Sequence, residues 1–205
     1  MLWDVDTQVD FVEPAGQLYV PGADAMRAAM GRLVRAARDA GIVHVASADD
    51  HLATDPEISV SPDFATTFPP HCMRGMPGAE RITETAQANP LVLAPTAHPD
   101  LAERAHGRRE FLLLKQSTDV FTNPNAAALL DYLQPTEVIV FGVATDVCDH
   151  QAITGLRDRG WSVAFVEDAA SGLSDERVAA CTAEWRERDV RFTTTDAVVA
   201  QLREP

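Results

Sequence analysis

Cysteine is scarce in this sequence: Cys72, Cys148 and Cys181 are the only three, and no two of them form a CxxC pair. Three cysteines cannot all pair with one another, which argues against a disulfide scaffold and leaves a free thiol to explain. Long apolar runs are missing as well. None approaches the ~20 residues needed to span a bilayer, so no membrane partner is expected. The chain passes from Met1 straight into an apolar stretch, without the basic region and small-residue cleavage site of a signal peptide, and a cytoplasmic location is the expectation. Positive charge is short: 17 Lys and Arg face 31 Asp and Glu, a net charge of −14. An acidic surface repels phosphate backbones, so nucleic acid is not an expected partner. The same charge keeps a protein soluble, and that accounts for it without invoking function. No GxGxxG follows the first apolar run, which removes the dinucleotide-binding reading. Internal repeats, low-complexity tracts and linkers are absent too.

What is present is enough for one folded unit. The 205 residues, 46% of them hydrophobic, suit one domain spanning 1–205. Short apolar runs alternate with longer amphipathic ones. Strands are expected at Leu2–Val5, Ile42–Ala46, Leu91–Leu93, Phe111–Leu114, Glu137–Val143, Ser162–Val166 and Val190–Thr193. Helices are expected at Ala23–Ala40, stopped by Gly41, and at Asn125–Leu133, Val147–Arg159, Asp175–Arg188 and Ala197–Leu202. Between Asp49 and Gly78 the chain is rich in Pro, Ser, Thr and Asp without a clear period, so a long loop is expected there. This β/α alternation predicts an α/β fold: a doubly wound, mostly parallel sheet with helices on both faces.

In such sheets ligands bind at the carboxyl ends of the strands. The reactive residues that follow strands are therefore the informative ones: Asp6, Asp49 with His51, Lys115 and Cys148. They bring an acid, a base and a thiol to one edge. Cys148 falls in a strand-to-helix turn, with Thr145 or Asp146 placed to cap the helix. In the first helical turn, free N–H groups and the positive dipole end favour a thiolate and can hold an oxyanion. Taken singly, each residue has a plainer explanation: a small core cysteine for Cys148, a snorkelling strand-end lysine for Lys115, a turn former for Asp6. Together they make a nucleophile, a proton acceptor and a cation that favours both anions.

The candidate metal residues are Asp49-x-His51, Glu57 and His71. Asp49 and His51 are two apart, so an extended segment points both the same way. Two imidazoles with carboxylates suit a divalent metal such as zinc, iron or manganese. Solvated loop residues would give the same pattern. His44 reads as core, His98, His106 and His150 as surface, and Cys181 as core. Cys72, next to His71, points the opposite way and is not counted as a ligand. Asp4 shares the parity of Asp6 inside a buried strand and needs a partner that the sequence does not name.

Asp6-Thr7-Gln8-Val9-Asp10-Phe11 resembles the first-strand motif of the isochorismatase-like cysteine hydrolases, and Gly142-Val143-Ala144-Thr145-Asp146-Val147-Cys148 resembles their nucleophile turn. Asp49-x-His51, Phe68-Pro69-Pro70-His71-Cys72 and Gly75-x-Pro77-Gly78-Ala79 resemble the metal loop of the nicotinamidase branch. The likeness runs from Leu2 to about Asp168. It implies Asp6 as general base, Lys115 as orienting cation and Cys148 as nucleophile. It also implies a cis peptide between Val143 and Ala144, which aims the N–H groups of Ala144 and Cys148 into an oxyanion hole. Asp49, His51 and His71 would hold the metal, with Glu57 at a position taken by a third His or an acid, directly or through water. Phe11 and Phe68 would pack against a pyridine ring whose nitrogen meets the metal. The expected activity is hydrolysis of nicotinamide to nicotinate and ammonia through a Cys148 thioester, with a small-molecule amide as partner and a homo-oligomer compatible with the sequence. Three departures stand out: Phe68 where many relatives carry Trp, Glu57 in place of His, and a run Lys115–Phe121 without the usual Ser/Tyr-rich segment. The last leaves room for another small amide or carbamoyl substrate. A metal-binding scaffold without turnover is the alternative outside enzymology.

Overall fold

The computed structural model describes residues 1–203. Its centre is a seven-stranded sheet in which every pairing is parallel. The strands are β1 (Leu2–Val5), β2 (His44–Asp49), β3 (Leu91–Leu93), β4 (Glu110–Lys115), β5 (Val138–Val143), β6 (Val163–Ser171) and β7 (Arg191–Thr193), in the spatial order β3-β4-β2-β1-β5-β6-β7. The order reverses at β1. The first half of the sheet grows away from it on the β2 side and the second half on the β5 side, so a crevice opens at the carboxyl end of β1.

Helices cover both faces: α1 (Val9–Val12), α2 (Ala23–Asp39), α3 (Leu101–Ala105), α4 (Pro124–Leu133), α5 (Cys148–Asp158), α6 (Asp175–Glu187) and α7 (Thr195–Arg203). Strand parity sorts the core into two layers. Leu2, Ile139 and Phe141 pack with α2 and α7 on one face, whereas Trp3, Val5 and Val140 pack with α4, α5 and Trp185 of α6 on the other. In α2 the buried residues Met30, Leu33, Val34 and Ala37 recur at helical spacing, which gives one apolar stripe against the sheet. Leu33→Ala would remove a fully buried side chain from that stripe, at about 2–5 kcal/mol.

Gly142 sits where β5 passes closest to β1. Its φ is +139°, and a Cβ there would overlap the Val5 carbonyl. That close approach brings the end of β5, and with it Cys148, beside the end of β1.

Several boundaries differ from the sequence expectation. β2 runs to Asp49 rather than stopping at Ala46, because Ser47–Asp49 stay in register with Leu113–Lys115. β6 runs on to Ser171 through two exposed acidic residues, Glu167 and Asp168, that interrupt its apolar pattern. The short helices α1 and α3 were not foreseen; neither is long enough to show a helical period.

Candidate active site

Asp49 and Lys115 end adjacent parallel strands directly opposite each other, so their side chains leave the sheet together. Lys115 is not a snorkelling surface residue. It is 1% exposed, and its ammonium makes an ion pair with one oxygen of Asp49. The same Nζ lies 2.9 Å from Asp6 Oδ2 and 3.7 Å from Cys148 Sγ. Asp6 follows β1 with a φ of +50°, a left-handed conformation rare outside glycine, and Ser47 Oγ donates to its Oδ1 at 2.7 Å. Thiol, carboxylate and ammonium therefore share one buried cluster, as their positions after separate strands suggested.

The electrostatics of the cluster divide the work. Burial raises the Asp6 carboxyl above the ordinary carboxylate range, outweighing the Lys115 ammonium. Burial also penalises Asp49, but there the Lys115 ammonium prevails and holds the carboxyl well below that range. For Cys148 burial works against the thiolate that the helix start favours. Burial, reinforced by the charges of Asp6 and Asp49 against that of Lys115, pushes the thiol well up. It rests neutral and needs a proton acceptor, and Asp6 is the carboxyl whose affinity for a proton is raised. The helix cap also differs. Cys148 is the first residue of α5, Val147 stands at the cap position, and no side chain caps the end. Asp146 instead accepts from Leu173 N at 2.8 Å and pairs with Arg177. The Val143–Ala144 peptide is cis.

The second oxygen of Asp49 faces away from Lys115. Asp49 Oδ2 lies 3.5 Å from His71 Nε2 and 3.8 Å from His51 Nε2, and ligand atoms from all three residues fall within 4.8 Å of one another. A tetrahedral ion with bonds of about 2.0–2.2 Å holds its ligand atoms about 3.3–3.6 Å apart, so the cluster is close to metal-binding dimensions. His71 Nδ1 donates to the Pro69 carbonyl at 2.7 Å, which leaves the Nε2 lone pair facing Asp49 and His51. Both ring nitrogens of His51 are buried without a hydrogen bond among the described residues. A donor set with free lone pairs fits a divalent metal. Glu57 lies on the wall of the adjoining cavity, outside this three-residue cluster.

That cavity reaches from the Cys148 thiol to Asp49 and His71. Phe11 and Phe68 line it, and their rings lie 5.3 and 6.1 Å from that of His71. Residues that the sequence reading passed over hold it in place. Gln8 Oε1 accepts from Asp49 N at 2.7 Å while its Nε2 donates to Asp49 O at 2.8 Å, so one amide clamps the end of β2. Asp10 accepts from Cys72 N at 2.7 Å and Gln17 N at 3.0 Å, tying the metal loop to α1. Gly78 packs flat on that carboxylate, where a Cβ would overlap it. Asp4 has its partner in Arg81, with His44 Nε2 also at 3.5 Å.

The remaining residues fall as follows. His44 and Cys72 are buried, and Cys72 is not among the clustered ligand atoms. His106 is exposed, but His98, His150 and Cys181 are half-buried rather than plainly surface or core. His150 stacks on Trp185 with ring centroids 6.0 Å apart.

A family model for the isochorismatase domain matches residues 2–197. The chain belongs to the isochorismatase family. It is 30% identical over 197 residues to a nicotinamidase/pyrazinamidase of Mycobacterium tuberculosis, covering 92% of this chain and 95% of that one. Among solved structures, an isochorismatase family protein from Desulfovibrio vulgaris superposes with a TM-score of 0.77 at 21% identity, over 99% of this chain and 97% of the other. The pyrazinamidase of Pyrococcus horikoshii in complex with zinc gives 0.73 at 22% identity, over 94% and 97%. These likenesses extend the isochorismatase fold over nearly the whole chain. No described helix is long and apolar enough to cross a membrane.

Proposed function

We propose that this isochorismatase-family amidohydrolase is a nicotinamidase, with the whole chain acting as one hydrolase domain. One observation carries the reading. A buried thiol flanked by a carboxylate and an ammonium opens onto the same small aromatic-walled cavity as an Asp49–His51–His71 cluster. A flat heteroaromatic amide fits between Phe11 and Phe68, with its ring nitrogen toward the cluster and its carboxamide carbon at Cys148.

Asp6 takes the Cys148 proton as sulfur attacks, so charge never rests on an isolated buried thiolate. Lys115, 3.7 Å from the sulfur, offsets the negative charge as it moves between sulfur and carboxylate. The N–H groups of Ala144 and Cys148 receive the oxyanion; in other enzymes loss of one such donor costs about 10²–10³ in rate. Asp6 then returns the proton to the departing ammonia, and later takes one from the water that cleaves the thioester.

Asp49, His51 and His71 would hold a divalent metal, with Glu57 reaching it directly or through water. Zinc suits two imidazoles and a carboxylate best, and iron or manganese suit them next. Such a metal supplies a Lewis-acidic anchor for the ring nitrogen.

The deciding experiment is ammonia release from nicotinamide by the protein as purified, after chelation, and as Cys148→Ala. Turnover is expected from the first and from neither of the others. Ammonia release by Cys148→Ala would end the thioester mechanism. Full activity in the stripped protein would end the metal's role. A second reading keeps the chemistry and changes the substrate to another small amide or carbamoyl compound. Thr118 favours it, since this residue of the atypical run after Lys115 lines the cavity. A panel of small amides run beside nicotinamide separates the two.

A further inference from the structure

The catalytic cavity does not end at the amide site. Phe68, Thr118, Val147 and Leu173 line both that cavity and a second, outer groove over the first turns of α5. The outer groove continues past Phe64 to His150 and Gln151.

Two features suit this groove to a ligand rather than to bulk water. The first is Phe64, a large aromatic residue that is 61% exposed on its wall. Its turn is firmly built: Asp63 Oδ1 accepts from the backbone N–H groups of Ala65, Thr66 and Thr67 at 2.8–2.9 Å, and Phe64 N donates to Thr67 O at 3.0 Å. The ring is thus presented at small further entropic cost on binding. The second is the far end, where the exposed Gln151 amide and the Arg177 guanidinium, held by Asp146 at 2.8 Å, stand on the wall as polar partners.

We infer that the outer groove is a distal subsite for the acyl part of the substrate, so that the enzyme takes aromatic carboxamides extended by an aryl group with a hydrogen-bonding end. This rests on the amidase reading above and names its substrate class. The extension belongs to the acyl side. The leaving nitrogen must face Asp6 to receive its proton, and neither Asp6 nor Lys115 lines either cavity, so a substituent on nitrogen would have no room. The aryl group would lie on Phe64 and Leu173, and its polar end would reach Gln151 or Arg177.

Calorimetry on Cys148→Ala protein tests this without turnover, with nicotinamide and 5-(4-hydroxyphenyl)pyridine-3-carboxamide as probes. The biaryl amide is expected to bind about tenfold tighter, which matches partial burial of one ring. Adding Phe64→Ala should remove about that tenfold for the biaryl and change nicotinamide binding less than about twofold. Equal binding of the two probes, or an equal loss for both on Phe64→Ala, overturns the subsite. So does a shift of sedimentation from oligomer to monomer on Phe64→Ala, which would mean that a second copy covers the groove. Wild-type turnover of nicotinamide tests the parent reading separately. If nicotinamide is not hydrolysed while the biaryl binds tightly and is, the nicotinamidase reading fails and the subsite stands.

Discussion

Asp6 and Asp49 share one ammonium, that of Lys115, yet their carboxyl groups are driven in opposite directions. The difference lies in how each meets the shared cation. Lys115 stands closer to Asp49 than to Asp6, so it prevails over burial at the one and is outweighed by burial at the other. Neighbouring carboxylates pushed apart in this way divide acid–base work from permanent charge. Asp6→Asn should therefore abolish turnover and leave one bound metal per chain by elemental analysis. Asp49→Asn should lose the metal as well. Metal retention in Asp49→Asn, or activity in Asp6→Asn, would reverse the assignment.

The raised Asp6 carboxyl sets the acid limb of the pH–rate profile. Asp6 acts as a base only when ionised, and its proton leaves above the ordinary value of 3.8. The acid limb of kcat/KM for nicotinamide is expected above that value. A limb at or below it would mean that another group accepts the thiol proton.

Among the described residues, Lys115 is the only counter-charge within ion-pair distance of Asp6. Lys115→Met leaves Asp6 unpaired in the interior and takes a partner from Asp49. A loss of about 3–5 kcal/mol in urea unfolding is expected, together with loss of turnover. A near-neutral effect on stability would show that the pair barely repays its desolvation.

Asp149, next to the nucleophile, is fully buried, and neither carboxylate oxygen has a hydrogen bond among the described residues. Burial, with the charges of Asp6 and Asp4 behind it, holds this carboxyl well above its ordinary value. A folded-state value raised above the unfolded one favours the native state while the proton is bound. That contribution is complete below the unfolded value and is lost as pH rises through the folded one. Asp149→Asn keeps the shape without the charge. It should be more stable than the wild type at pH 7, by about 1–3 kcal/mol, and the gain should vanish on acidification below about pH 4. Thermal melts across pH check the sign, and a gain that grows in acid would refute the account.

Gly78→Ala drives a methyl group into the Asp10 carboxylate, which holds Cys72 next to His71. The overpacking should cost about 1–3 kcal/mol. Since the strain falls on the loop that carries His71, zinc titration should also show weaker binding than in the wild type. Unchanged stability would mean that the loop yields there freely.

The candidate residues Asp6, Asp49, His51, Lys115 and Cys148 could be read from the sequence because each stands at or just beyond the end of an apolar run, and strand ends of a parallel sheet share one edge; His71 and Glu57 lie within the long loop and were legible only through the motif it resembles. The supporting residues could not. Gln8 acts on Asp49 from 41 positions away, Asp10 on Cys72 from 62, and Arg81 on Asp4 from 77. A polar side chain in a loop gives no local sign of such a partner. The environment of Cys148 was legible only in part for a related reason. Its place at a helix start is local information, whereas its depth of burial and the nearby charges of Lys115, Asp6 and Asp49 come from other strands.

The position of β1 between β2 and β5 has a consequence for the newly made chain. Asp6 and Lys115 lie on segments that can meet once β1, β2 and β4 have paired, but the sulfur arrives only when β5, more than a hundred residues after β1, slots in on the opposite side. The cluster of thiol, carboxylate and ammonium is therefore complete only in a sheet whose middle, β2-β1-β5, is complete.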